Sequence, residues 1–322
     1  MTADNVRRSL SPLQRDQLAK LQPALRDCLQ SADLPEAEKI TKKIVSLLTP
    51  SGHKTKILQC KNWLFECALE AGEIQYAISG FTGIRKLVSD KTRTHVEATA
   101  LLGICFIRAG KIEEAKIYLK EAYAAVNKIS STARRQQFQR RFLERVEHEC
   151  ILAGLGNDAV EKLDLDEVHG IAVSLIQNKS TDEISEIIGK ALPGESLLFL
   201  KTVRSYVVLQ IPDADRKLLM PPKEAEKPVV IGKKASVAFK RVAWRSLCSP
   251  QSEVYKLWTS SLTAVCNGKL ITAAVVTSFS GLKIGDITLA AAISALAMKF
   301  SAEVFCERFA PESVMIHISD KK

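Results

Sequence analysis

The chain has 322 residues, 46% of them hydrophobic and 25% charged, which is enough for two modest domains with packed cores and excludes wholesale disorder. Its net charge is +10, of which +7 lies from Ala191 onward, a balance that favours acidic partners over basic ones. The eight cysteines are scattered without a CxxC pair, so they exclude a clustered zinc site and read as reduced core thiols.

The opening stretch MTADNVRRSLSPLQRDQLAK has no apolar core of the kind a secretory signal needs, and the expected compartment is the cytoplasm. A cadence then recurs. Gly110, Ala115, Leu119 and Ala122 repeat the order of Gly72, Ala77, Phe81 and Ile84. It returns more weakly as Ala32, Ala37, Thr41 and Ile44, and as Gly154, Ala159 and Leu163. A glycine ends a helix in a tight turn, where a positive φ costs it nothing, and a small alanine early in the next helix lets two backbones approach. In the best copy Ile112, Ala115, Leu119, Ala122 and Val126 share one helical face, and Leu102, Gly103 and Phe106 supply the surface opposite. A lone hairpin cannot bury both sides of that surface, so neighbouring copies must stack.

On these residues the segment from Val96 to Lys128 resembles a tetratricopeptide repeat. The resemblance implies a right-handed superhelix of helix pairs whose concave face binds a peptide or a protein partner. The copies depart from the family: their key alanines are 40, 38 and 44 residues apart against about 34. Lys128 to Ser131 runs on where the family has a closing proline. The architecture is therefore carried over and no particular ligand is. An irregular antiparallel bundle with short loops is the competing arrangement, and both are all-α.

Farther along, STDEISEIIGKAL reads as a helix capped by Ser180 or Thr181 and ending near Gly189 and Pro193. SYVVLQI, residues 205–211, is either a short strand or the end of a helix. The next stretch, up to Lys234, holds four prolines and many charges and reads as a linker. The expected layout is a repeat domain over 1–211, a linker over 212–234 and a smaller helical domain over 235–322. The last domain contains an Ala-rich apolar hairpin, Leu270 to Phe309. It has 13 uncharged residues between Lys269 and Lys283, then 15 residues in which Asp286 is the only charge. Neither piece has the roughly 20 apolar residues of a spanning helix. The hairpin is either the interior of a soluble domain, with Asp286 capping its second helix, or an element that inserts into a membrane on a trigger.

Nothing assembles an enzyme. Gly154, Gly156 and Ala159 have dinucleotide-fingerprint spacing but join two helices. Ser51 with Lys54 and Ser280 with Lys283 match a bare Ser-x-x-Lys, without the motifs that complete an acyl-transfer site. The five histidines are dispersed. Two basic clusters are candidates for partner binding: Arg134, Arg135, Phe138, Arg140, Arg141 and Arg145 on one predicted helix, and Lys233, Lys234, Lys240, Arg241, Trp244 and Arg245 on another. Arginines interleaved with an aromatic can hold phosphates and stack on bases, or meet anionic lipid or an acidic protein. Otherwise they are solvated faces. No cofactor and no metal are expected. The leading expectation is a cytosolic helical-repeat adaptor that binds a protein or peptide, with a C-terminal effector or assembly domain. A membrane-disrupting effector and a nucleic-acid-binding protein are the alternatives.

Overall fold

The computed structural model describes residues 8–129, 131–155, 162–211, 213–216, 224, 227–260 and 268–315. Among them there is no strand, and the fold is all-α. The chain divides into two compact units, Met1–Phe142 with Glu312–Lys322, and Leu143–Pro311.

In the first unit local chemistry sets the helix ends. Helix α1 (Pro12–Ser31) opens on a capping box, with Ser11 Oγ accepting from the Gln14 N–H at 3.2 Å and the Gln14 side chain accepting from the Ser11 N–H at 2.9 Å. It ends at Ala32, which is left-handed with φ 56°. Helix α2 is Leu34–Leu48 and α3 is Lys54–Glu70. The turn to α4 (Ile74–Leu87) is made by Gly72, φ 89°. Thr92 caps α5 (Arg93–Arg108), and Gly110, φ 72°, leads into α6 (Ile112–Ala125). Helix α7 (Thr132–Ala153) follows, and the division between the units falls within it. From α1 to α6 each helix packs on the next, α1 also packs on α3, and α3 on α5. The cadence residues are the core: Ala37, Ile44, Ala77, Phe81, Ala115, Leu119 and Ala122 are at most 1% exposed. At Gly103 α5 and α6 approach closely, since a Cβ there would lie 3.0 Å from Leu119 Cδ2.

The second unit holds the rest of α7, then α8 (Leu165–Asn178), α9 (Thr181–Ala191), α10 (Gly194–Gln210) and α11 (Asp213–Arg216). It continues with α12 (Pro228–Cys248), α13 (Glu253–Thr259), α14 (Gly268–Gly281), α15 (Ile287–Ala297) and α16 (Ala302–Arg308). Residues 205–210 are helical, because α10 runs on through them. Pro228 stands in the first turn of α12, where its missing N–H leaves no bond unmade, so 228–234 are helix. Of the rest of the expected linker, residues 212, 217–223 and 225–226 lie outside the described residues. Helices α9 and α12 touch backbone to backbone: a Cβ on Gly189 would overlap the Pro228 carbonyl, and one on Gly232 the Ser185 carbonyl.

The apolar hairpin is α14 and α15. Every residue from Leu289 to Ala297 is buried, under α8, α9, α12 and α14. Asp286 Oδ1 accepts from the Leu289 N–H at 2.8 Å and caps α15. Among the described residues no single helix is long and apolar enough to cross a membrane; α15 and α16 pass such a test only jointly and are bent by 95° at their break. The expectation of reduced thiols needs one correction. Cys248, at the end of α12, and Cys306, in α16, are disulfide-bonded, with Cα atoms 5.4 Å apart; α12 packs on α16, which brings together cysteines 58 residues apart. Cys28, Cys60, Cys67, Cys105 and Cys150 are buried and in no disulfide, and Cys266 lies outside the described residues.

Candidate functional site

Helix α3 carries Asn62, Glu66 and Glu70 at intervals of four residues, which puts them on one face. All three are buried, Glu66 to 1% exposure. A buried carboxylate is costly unless donors surround it, and each glutamate of the row faces donors from elsewhere in the first unit. Asn62 donates to the Thr94 carbonyl at 3.1 Å. Arg108 lies 3.9 Å from Glu70 and donates to the Leu69 carbonyl at 2.5 Å. Glu66 is held by a segment distant in the sequence: Ser313 Oγ donates to its Oε2 at 2.6 Å and the Val314 N–H to its Oε1 at 3.0 Å. Val314 is 2% exposed and Met315 fully buried. Just before them Glu312 meets Arg141 of α7 at 3.4 Å. A short non-helical segment thus lies on the first unit between a carboxylate of α3 and a guanidinium of α7.

A second polar centre is built within the second unit. Glu149 of α7 forms an ion pair with Arg145 at 2.9 Å and accepts from Arg241 of α12 at 2.7 Å. Glu147 pairs with Lys234 of α12 at 2.5 Å and Arg204 of α10 at 3.4 Å. Desolvation, with the Arg145 charge beside it, pushes the His148 pKa down to about 4, and burial raises the Cys150 thiol well above its ordinary value. Lys240 is depressed to about 8, by burial first and then by Arg308 and Lys299. Its ammonium lies 5.4 Å from the Phe300 ring centroid and 4.7 Å from that of Phe309, a cation–π arrangement. Elsewhere in this unit Leu197, Leu198, Val208, Leu209 and Ile231 line a cavity of about 690 Å³, with Leu198 and Leu209 exposed.

The two basic clusters are therefore mostly engaged. On α7, Arg134 is half-buried, Arg135 bonds locally to the Ile129 carbonyl and to Thr132, Phe138 is core against Phe142, and Arg140 is exposed. Arg141 meets Glu312, and Arg145 turns inward to Glu149. On α12, Lys233 reaches Asp182 at 2.8 Å, Lys234 and Arg241 hold the two glutamates, and Arg245 is half-buried. The Trp244 indole donates to the Cys306 carbonyl at 2.7 Å. One member of each cluster thus converges on the same carboxylate. Among the described residues no group of His, Cys, Asp and Glu can hold a metal ion. His169 bonds to Thr272 at 3.0 Å, and His53 Nε2 lies 2.9 Å from the Arg8 carbonyl; Gly156, Ala159 and His317 lie outside the described residues.

Reading for motifs passes over Asn62, Glu66, Glu70 and Ser313. The usable signal is the four-residue spacing of amide and carboxylates inside the otherwise apolar run NWLFECALE. No known family model, curated protein or solved structure matches the chain.

Proposed function

We propose that the protein is a helical-repeat adaptor whose first unit binds an extended peptide of a protein partner, and whose second unit serves an effector or assembly role. The observation that carries this reading is Glu66, a buried carboxylate on a helix face that is satisfied by a backbone N–H and a hydroxyl of a non-helical segment. A helical surface can grip an extended peptide in this way, a side-chain carboxylate accepting from the peptide's main chain while neighbouring side chains select its sequence. The packing of α1 on α3 and α3 on α5 is what stacked hairpins of a tetratricopeptide-like array require.

Nucleic acid has less support, because Arg145, Lys234 and Arg241 already neutralise carboxylates. Membrane insertion has less support as well, since α15 is covered on all sides. The compartment in this reading is the cytoplasm, supported by five buried cysteines outside any disulfide; the Cys248–Cys306 bridge is the observation that pulls the other way.

The test uses the full chain with a photo-reactive residue in place of Lys61 on α3, and a control with it in place of Lys256 on α13, each irradiated in lysate of the native host. Cross-linking from α3 to a discrete protein, lost on Glu66→Arg, is the expected result. Capture indifferent to Glu66→Arg, or equal from both positions, rules the reading out.

A further inference from the structure

We propose that Glu312–Met315 is an internal ligand of this peptide site: it covers the surface a partner would use and displays the chemistry that the partner's peptide must share. The inference rests on the peptide-binding reading above and adds both a regulation and a specificity to it.

Three observations converge. The segment approaches as a peptide does, through a main-chain N–H at Val314 and a side chain on either side of it. Its Ser313 hydroxyl has two jobs, donating to Glu66 and accepting from the Met315 N–H at 3.0 Å. A methyl group can do neither, and an ammonium cannot accept, so the position selects Ser or Thr. The two residues that follow are apolar and buried. The residue before it is acidic and faces Arg141 at the solvent edge, with 75% of its side chain exposed, which orients the segment more than it tightens it. The matching ligand is an extended peptide reading acidic, then Ser or Thr, then two apolar residues.

The same contacts make displacement selective. Stripping Ser313 and Val314 from Glu66 removes two donors from a buried carboxylate, a loss that only a competitor bringing equivalent donors restores. A negative charge on residue 313 would oppose Glu66 directly and eject the segment.

The experiment measures fluorescence anisotropy of a fluorescein-labelled peptide with the sequence of residues 308–322 against the full chain. The wild type is compared with Ser313→Ala/Val314→Pro, which removes both donors, and with Ser313→Asp, which repels Glu66. Circular dichroism checks that each is folded, and either variant suffices. The expected result is at least tenfold tighter binding by the opened variants than by the wild type, lost again when Glu66→Gln is added. Equal affinity for wild type and opened variants overturns the occlusion while leaving a peptide site standing. Binding that ignores Glu66→Gln overturns the assignment to this surface. No binding to any form overturns the segment as a ligand; the cross-linking from α3 then decides separately whether the first unit binds a protein at all.

Discussion

Both units bury a pair of glutamates on one helix, and they satisfy them differently. In the second unit Glu147 and Glu149 of α7 are held by Lys234 and Arg241 of α12, by Arg204 of α10 and by Arg145 of α7 itself. These four partners are charged side chains anchored in helices. In the first unit Glu70 is treated in the same way by Arg108, whereas Glu66 is met by a hydroxyl and a main-chain N–H from a non-helical segment. The difference is between a partner that leaves only if the helices come apart and one that can leave by itself. The first kind of carboxylate fixes a fold; the second can accept a substitute.

The largest blow to that contrast is Glu149→Gln, which removes the negative charge that two buried guanidiniums share. It is expected to cost about 3–5 kcal/mol in denaturant titration, and a loss under 1 kcal/mol would mean that the ion pairs do not hold the unit.

Acid probes the same centre. Because the folded His148 titrates near 4 and an unperturbed histidine near 6.5, the unfolded chain takes up a proton that the folded chain refuses. Stability contributed by the neutral imidazole is therefore complete above pH 6.5 and lost as pH falls toward 4, by about 3 kcal/mol at most. His148→Gln should flatten that part of the pH profile, and an unchanged slope would assign the acid sensitivity elsewhere.

Glu66→Gln, by contrast, keeps one acceptor and is expected to cost about 2 kcal/mol, with protease cleavage after Arg308 accelerated; cleavage at the wild-type rate would show that the segment is not held by the charge. The smallest effect is a gain away from both centres. Ala32 takes the left-handed turn that Gly72 and Gly110 take at no cost, so Ala32→Gly should stabilise the first unit by about 1 kcal/mol, read as a shifted denaturation midpoint.

Much of this fold is legible in the sequence where the cause is local. Gly72 and Gly110 announce their turns because left-handed backbone penalises a Cβ, and Asp286 announces the start of α15 because a carboxylate fits that cap. What is not legible depends on a second body. The arginine spacing of α7 and α12 puts charges on faces but does not say what confronts them, although Glu149 four residues after Arg145 is a hint that the stripe satisfies itself. The β-branched run at 205–211 has a propensity for strand, yet it continues a helix once α10 has formed and no other strand exists among the described residues to pair with it. The Cys248–Cys306 bridge depends on α12 meeting α16, and the Glu66 site on a serine 247 positions away.

The covalent link between the segment Glu312–Met315 and the surface it covers has a consequence for any partner. A tethered ligand acts as though present at an effective concentration on the order of millimolar, whatever the amount of protein in the cell. A free peptide with identical contacts, present at micromolar levels, would lose that competition by about a thousandfold in concentration. A successful partner must therefore bring more than the four residues it replaces, by touching additional surface of α3 or α5 or by presenting several copies at once. Opening becomes a matter of avidity, and a weak single motif is filtered out before it can signal.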